Sequence, residues 1–169
     1  MPFPYYDRLS PARQRIYRRS DAILHIPLPD MPALMPLARA IEMPLESARR
    51  ADVERACQAL VNGLNLQLRT PAVRVTVMER RPSDDYGELH GLYEPEDGGK
   101  VAKITVWMRT AKKENVVRFR TFLRTLVHEA CHHFDYEHFG MAETFHTEGF
   151  YARESALVRE LLGETAAAG

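Results

Sequence analysis

Cysteine is scarce in this 169-residue chain, which has only Cys57 and Cys131. Two thiols cannot build a disulfide framework or a four-thiolate metal centre, and both are expected to be free in a reducing compartment. Net charge is missing too, because 23 basic residues face 23 acidic ones. Whole-molecule electrostatics therefore provide no drive toward nucleic acid, a membrane surface or acidic substrates. No apolar run approaches the roughly 20 residues of a membrane span. The opening Met1-Pro2-Phe3-Pro4-Tyr5-Tyr6-Asp7 lacks the apolar stretch of a signal peptide. A cytoplasmic protein without membrane contact is expected. Repeats are absent, and low complexity is confined to the tail Thr165-Ala166-Ala167-Ala168-Gly169.

What remains is ordinary globular material, 45% hydrophobic and 27% charged, which supports one self-sufficient core. A chain of this length buries roughly 70% of its unfolded surface. Charge is uneven only at the start, where Arg8, Arg13, Arg15, Arg18 and Arg19 crowd together. Such a run reads first as a solvated helix face and second as a contact for nucleic acid or an acidic partner.

Ser10-Pro11 reads as an N-cap and first helical residue, opening a short helix to about Ser20. Prolines 27, 29, 32, 36 and 44 then predict a loop-rich connector over 26–44 with at most one short helix. From Leu45 to about Leu68 the positions Val53, Ala56, Cys57, Leu60, Val61, Leu64 and Leu68 keep helical spacing. Alternation predicts strands over Val73–Met78, Glu88–Tyr93 and Val101–Met108, with a turn at Glu94–Gly99. A long helix is expected over Asn115–Phe139, closed by Gly140, and a last one over Glu148–Leu162, stopped at Gly163. The expected units are an N-terminal helix and proline-rich connector (1–44) packed on a main domain (45–163), then a flexible tail (164–169).

His128-Glu129-Ala130-Cys131-His132 sets two imidazoles one helical turn apart on one face, the spacing that offers two nitrogens to a tetrahedral zinc ion. The glutamate between them can act as general base on a metal-bound water. The helical wheel separates the faces. With Leu126 at zero, Phe119, Phe122, Leu123, Val127, Ala130 and Phe134 form an apolar back between roughly −40° and 100°. His128, His132, Asp135 and Thr121 lie opposite, between roughly 180° and 240°. An accidental match would not respect that division.

The third ligand must come from elsewhere. His138 has the metzincin distance from His132, but Asp135 stands where that pattern needs glycine, so the helix continues and carries His138 about 100° off the metal face. His146 is favoured, because it follows the Gly140 turn at the entrance to the last helix. Glu148 and Glu154 are the carboxylate alternatives. His133 points along the apolar face and reads as packed or hydrogen-bonded, and Cys131 reads as packed. Asp135 could orient a ligand imidazole or be an exposed carboxylate. Tyr151 and Arg153 could hydrogen-bond a tetrahedral intermediate, although core packing and a salt bridge are their ordinary roles.

These motifs, His128-Glu129-Ala130-Cys131-His132 followed by Phe145-His146-Thr147-Glu148-Gly149-Phe150, resemble the SprT-like metallopeptidases, which include the Spartan proteases. In that family a third histidine, followed four residues later by phenylalanine, completes the zinc site, and His146 and Phe150 match that pair. Gly91-Leu92-Tyr93 and Lys103-Ile104-Thr105-Val106 are similar to the family's strands. The resemblance spans about residues 45 to 162. It implies an α+β, minimal zincin-like domain: helix, three-stranded sheet, active-site helix, C-terminal helix. It also implies zinc on His128, His132 and His146, with Glu129 as catalytic base. DNA-handling members carry extra zinc-binding or DNA-binding regions. No four-cysteine motif exists here, so a DNA–protein substrate is not carried over.

The expected function is therefore peptide-bond hydrolysis by a zinc-bound water that Glu129 activates, acting on a protein or peptide. The substrate would lie by strand addition along Val101–Met108 as the sheet edge. Two other readings stand beside it. One is a non-catalytic, zinc-stabilised domain that binds a partner through the arginine-rich helix. The other is a regulatory gluzincin-type protease with a glutamate ligand, cleaving a repressor.

Overall fold

The computed structural model describes residues 2–81, 83–84, 87–88, 91–111 and 115–164. After a 3-10 turn at Pro4–Arg8 come the helices α1 (Pro11–Ala22), α2 (Met31–Arg39), α3 (Glu42–Glu46) and α4 (Arg50–Leu68). The strands β1 (Val73–Arg80), β2 (Ser83–Asp84), β3 (Gly87–Glu88), β4 (Gly91–Glu94) and β5 (Ala102–Arg109) follow, and α5 (Phe119–Glu137) and α6 (Glu148–Leu161) end the chain. The architecture is α+β, with a mixed three-stranded sheet in the order β1-β5-β4 and a separate antiparallel β2-β3 pair. No helix among the described residues is long and apolar enough to cross a membrane.

The connector holds two short helices, where one at most was expected. Asp30 caps α2 by accepting from the Ala33 N–H, at 3.2 Å, and proline stands in the first turn where its missing N–H costs nothing. Pro36 lies inside α2 and gives up one backbone bond. Burial of Leu34, Ala38, Ile41 and Leu45 outweighs that loss, since each large apolar side chain contributes about 1.5–3 kcal/mol. The same burial ends the helix expected from Leu45: Ala48 turns left-handed at φ 55°, and α4 starts afresh at Arg50.

β5 is not an edge, contrary to expectation. It pairs in parallel with β1 and antiparallel with β4, and Ile104, Thr105, Val106, Trp107 and Met108 are all buried. A strand covered on both faces and bonded on both sides is central. The outer strand beside α5 is β4, which pairs Gly91 with Val106 and Glu94 with Lys103. Part of the expected Glu88–Tyr93 strand, residues 89–90, lies outside the described residues.

α5 begins at Phe119, later than the Asn115 its periodicity suggested. Val116 instead bridges Arg109, and the Val117 N–H donates to the Met108 carbonyl at 2.7 Å, so this β-branched pair prolongs the sheet. Phe122, Leu123, Leu126, Val127, Ala130 and Phe134 are at most 1% exposed, which makes α5 a wall of the core. Gly140, at φ 65°, reverses the chain after it. Residues before 45 share that core, which includes Ile26, Leu34, Ala38 and Ile41.

Candidate metal centre

α5 is amphipathic, and with its apolar back in the core the opposite face presents His128 and His132. The 141–147 loop then brings His146 to them. One ring nitrogen from each residue lies within 4.8 Å of the others. Nε2 of His132 is 3.3 Å from Nε2 of His128 and 3.0 Å from Nε2 of His146. Two ligands of a tetrahedral zinc at roughly 2.05 Å are separated by about 3.3 Å, so this spacing fits the ion.

The hydrogen bonds behind the rings sharpen the fit. Thr144 Oγ1 donates to Asp135 Oδ2 at 2.7 Å, so it must accept from His132 Nδ1–H at 2.8 Å. Glu154 Oε1 lies 2.6 Å from His128 Nδ1 and accepts from it. Both Nε2 atoms are thereby left with lone pairs facing each other. A cation shared between them would make that arrangement favourable, and zinc ligands are commonly held this way by an outer carboxylate or hydroxyl. Burial and the neighbouring imidazoles push the His132 pKa down to about 3, which keeps its ring neutral as a ligand must be.

Glu129 is 6% exposed and lines the same cleft. Burial pushes its carboxyl up to about 7, opposed by His128 and aided by Glu154. β4 approaches it closely at Gly91, where a Cβ would stand 3.0 Å from Glu129 Cγ and 2.9 Å from Thr125 Cγ2. The cleft has a volume of about 420 Å³, with Gly91, Leu92 and Tyr93 on one side and the three histidines with Glu129 on the other. Tyr93 OH donates to His133 Nδ1 at 2.8 Å, while His133 Nε2–H donates to the Pro71 carbonyl at 2.9 Å. His133 is thus a buried tie between sheet and helix, away from the cluster.

The other candidates separate cleanly. His138 caps the end of α5 as an exposed residue against Phe139 and lies outside the cluster. Glu148 is exposed in the first turn of α6 and is not among the grouped ligands. Glu154 sits behind His128 and meets Nδ1, the nitrogen turned away from the shared point. Asp135 is fully buried, and Arg153 Nη2 donates to its Oδ1 at 2.8 Å. Arg153 is fully buried as well and donates to the carbonyls of Ser20 and Ile23, at 2.8 and 2.9 Å. It is spent on the fold and cannot meet a tetrahedral intermediate. Tyr151 is 41% exposed, with its ring centroid 5.7 Å from that of His146, at the mouth of a second cavity that reaches Thr125 and Arg124. Cys131 is packed in the core.

Thr144 escaped the sequence reading. A threonine two residues before a histidine carries no signal of its own, and its role arises only when the loop folds back on Asp135. The arginine-rich start is partly consumed internally: Arg13 pairs with Glu143, Arg18 with the Tyr6 hydroxyl and Arg19 with the Phe139 carbonyl.

Comparison with known protein families, with curated proteins and with solved structures finds no match.

Proposed function

We propose that the protein is a zinc-dependent peptidase of the zincin type, similar to the SprT-like metallopeptidases. The observation that carries this reading is the convergence of three Nε2 atoms beside a buried carboxylate, in a cleft walled by an outer strand. Zinc held by His128, His132 and His146 would supply a Lewis acid that polarises the scissile carbonyl and acidifies the attacking water.

The chain's own residues account for the rest. Glu129 takes the proton of the attacking water and returns it to the leaving nitrogen, and a carboxyl raised to about 7 suits both transfers near neutral pH. Glu154 and the Thr144–Asp135 pair hold the rings of His128 and His132 in the tautomer that leaves Nε2 free. β4, as the outer strand, provides backbone groups against which an extended peptide can pair. Glu154's place behind His128 speaks against a gluzincin ligand set. Glu129 and the open cleft speak against a closed structural site, which needs neither.

The test is Glu129→Gln. Purified wild type should carry one zinc per chain and cleave an unfolded protein substrate. The variant should keep its zinc and lose about 10²–10⁴-fold in turnover, the usual contribution of a general base. Undiminished cleavage by the variant would end the proposal.

A further inference from the structure

The three imidazoles are held very differently. His128 and His132 are fixed by α5. His146 is exposed in a loop that lies between Gly140 and α6, and what surrounds that loop is the start of the chain. Tyr5 OH donates to the His146 carbonyl at 3.2 Å. The neighbouring Phe145 ring is boxed by Tyr5 at 6.4 Å, Tyr17 at 6.0 Å and the Arg13 guanidinium at 5.8 Å. Arg13 also grips Glu143 with two parallel bonds, of 2.7 and 2.8 Å. On the far side Ser20 Oγ meets Thr147 Oγ1 at 3.1 Å in a fully buried contact, and the Gly149 N–H donates to Asp21 Oδ1 at 3.0 Å. Gly149 has no Cβ to obstruct this approach, and one built there would stand 2.4 Å from the Asp21 carbonyl oxygen.

Glu143, Phe145, Thr147 and Gly149 thus each meet a partner between Tyr5 and Asp21, and His146 is met through its carbonyl. We infer that Tyr5 to Asp21 form a positioning clamp that delivers the His146 imidazole to the other two. Tyr5 and Arg13 act as positioning residues, through Phe145 and Glu143, and touch no metal or substrate themselves. They lie outside the 45–162 span of the family resemblance. This inference rests on the three histidines being a metal site.

The clamp can be tested without any assay of cleavage. Zinc affinity is measured in the full chain by competition with a chelator, and the absorption of the cobalt-substituted protein reports ligand geometry. Arg13→Glu sets two like charges together and should weaken zinc binding about 10-fold, the lower end of what an outer partner of a metal ligand contributes. Arg13→Glu with Glu143→Arg restores the pair and should recover most of that loss. Tyr5→Phe, which removes the hydroxyl that meets the His146 carbonyl and neighbours the Tyr17 hydroxyl but keeps the ring against Phe145, should cause a smaller loss. The control is Arg120→Glu, which breaks a similarly exposed double contact with Glu164 far from the site and should leave affinity and spectrum unchanged. Equal affinity and identical cobalt spectra for Arg13→Glu, Tyr5→Phe and wild type would overturn the clamp. So would failure of the reversed pair to recover binding. If wild type itself binds no zinc, the metal-site reading falls and takes the clamp with it.

Discussion

His128 and His132 belong to a helix whose other face is the core, whereas His146 belongs to a loop held by residues 127 to 141 positions earlier in the chain. The first pair is placed by local periodicity: once α5 packs, one turn of separation does the rest. The placement of His146 depends on α1 docking against α6 and on aromatic packing around Phe145. The proposed metal site is therefore half inherited from secondary structure and half assembled by tertiary contacts, and the two halves should fail differently.

The largest effects should come from the ligands. His132→Ala and His146→Ala are both expected to abolish stoichiometric zinc, read by metal analysis after dialysis. They should differ when metal-free. His132 is partly buried, its ring 4.7 Å from that of Phe150, so its loss should lower the melting temperature, whereas loss of the exposed His146 should not. Equal melting temperatures would erase the distinction.

Arg153→Met comes next, because Arg153 ties the two halves together. It would leave the Asp135 carboxylate buried beside no cation, take the Arg153 donor from the Ile23 carbonyl and leave the Ser20 carbonyl with only the Ile23 N–H. Removing one partner of a buried pair costs about 3–5 kcal/mol, measurable by denaturant unfolding. A loss under about 1 kcal/mol, the level of a surface pair, would show that the two halves are tied elsewhere.

The smallest expected changes concern the rings' backing. Thr144→Val and Glu154→Gln should each weaken zinc about 10–100-fold while leaving it bound. Thr144 belongs to the loop and Glu154 to α6. If both cost the same, orientation of the helical rings matters equally from either side, and a much larger cost for Thr144→Val would put the weight on the loop.

The sequence revealed the parts of the molecule that repeat with a period. The wheel around Leu126 separated the apolar back of α5 from the face that bears His128 and His132, and valine alternation marked β1 and β5. Long-range choices left no such trace. Nothing in Val101–Met108 states that β5 is central, since alternation reports burial but not neighbours. The connector's prolines argued for loop, and only the burial of Leu34, Ala38 and Ile41 explains the helices found there. Alone, Asp135 reads as a ligand-orienting group or an exposed carboxylate and Arg153 as a salt-bridging residue or a donor to a tetrahedral intermediate, and nothing in the sequence pairs the one with the other. Their partnership spans two helices and emerges only in the assembled core.

Both sulfhydryls are sealed inside: Cys57 in α4 and Cys131 in α5 are 0% exposed, and burial drives each thiol well above its ordinary pKa. A thiol-reactive dye can modify the native chain only during excursions that pull one of these helices from its bed. Cys131 is next to His132, so its labelling clock would time the loosening of α5, with Cys57 as an internal reference for α4. Chelator that quickens the first clock and not the second would reveal how far the ion stiffens its own helix.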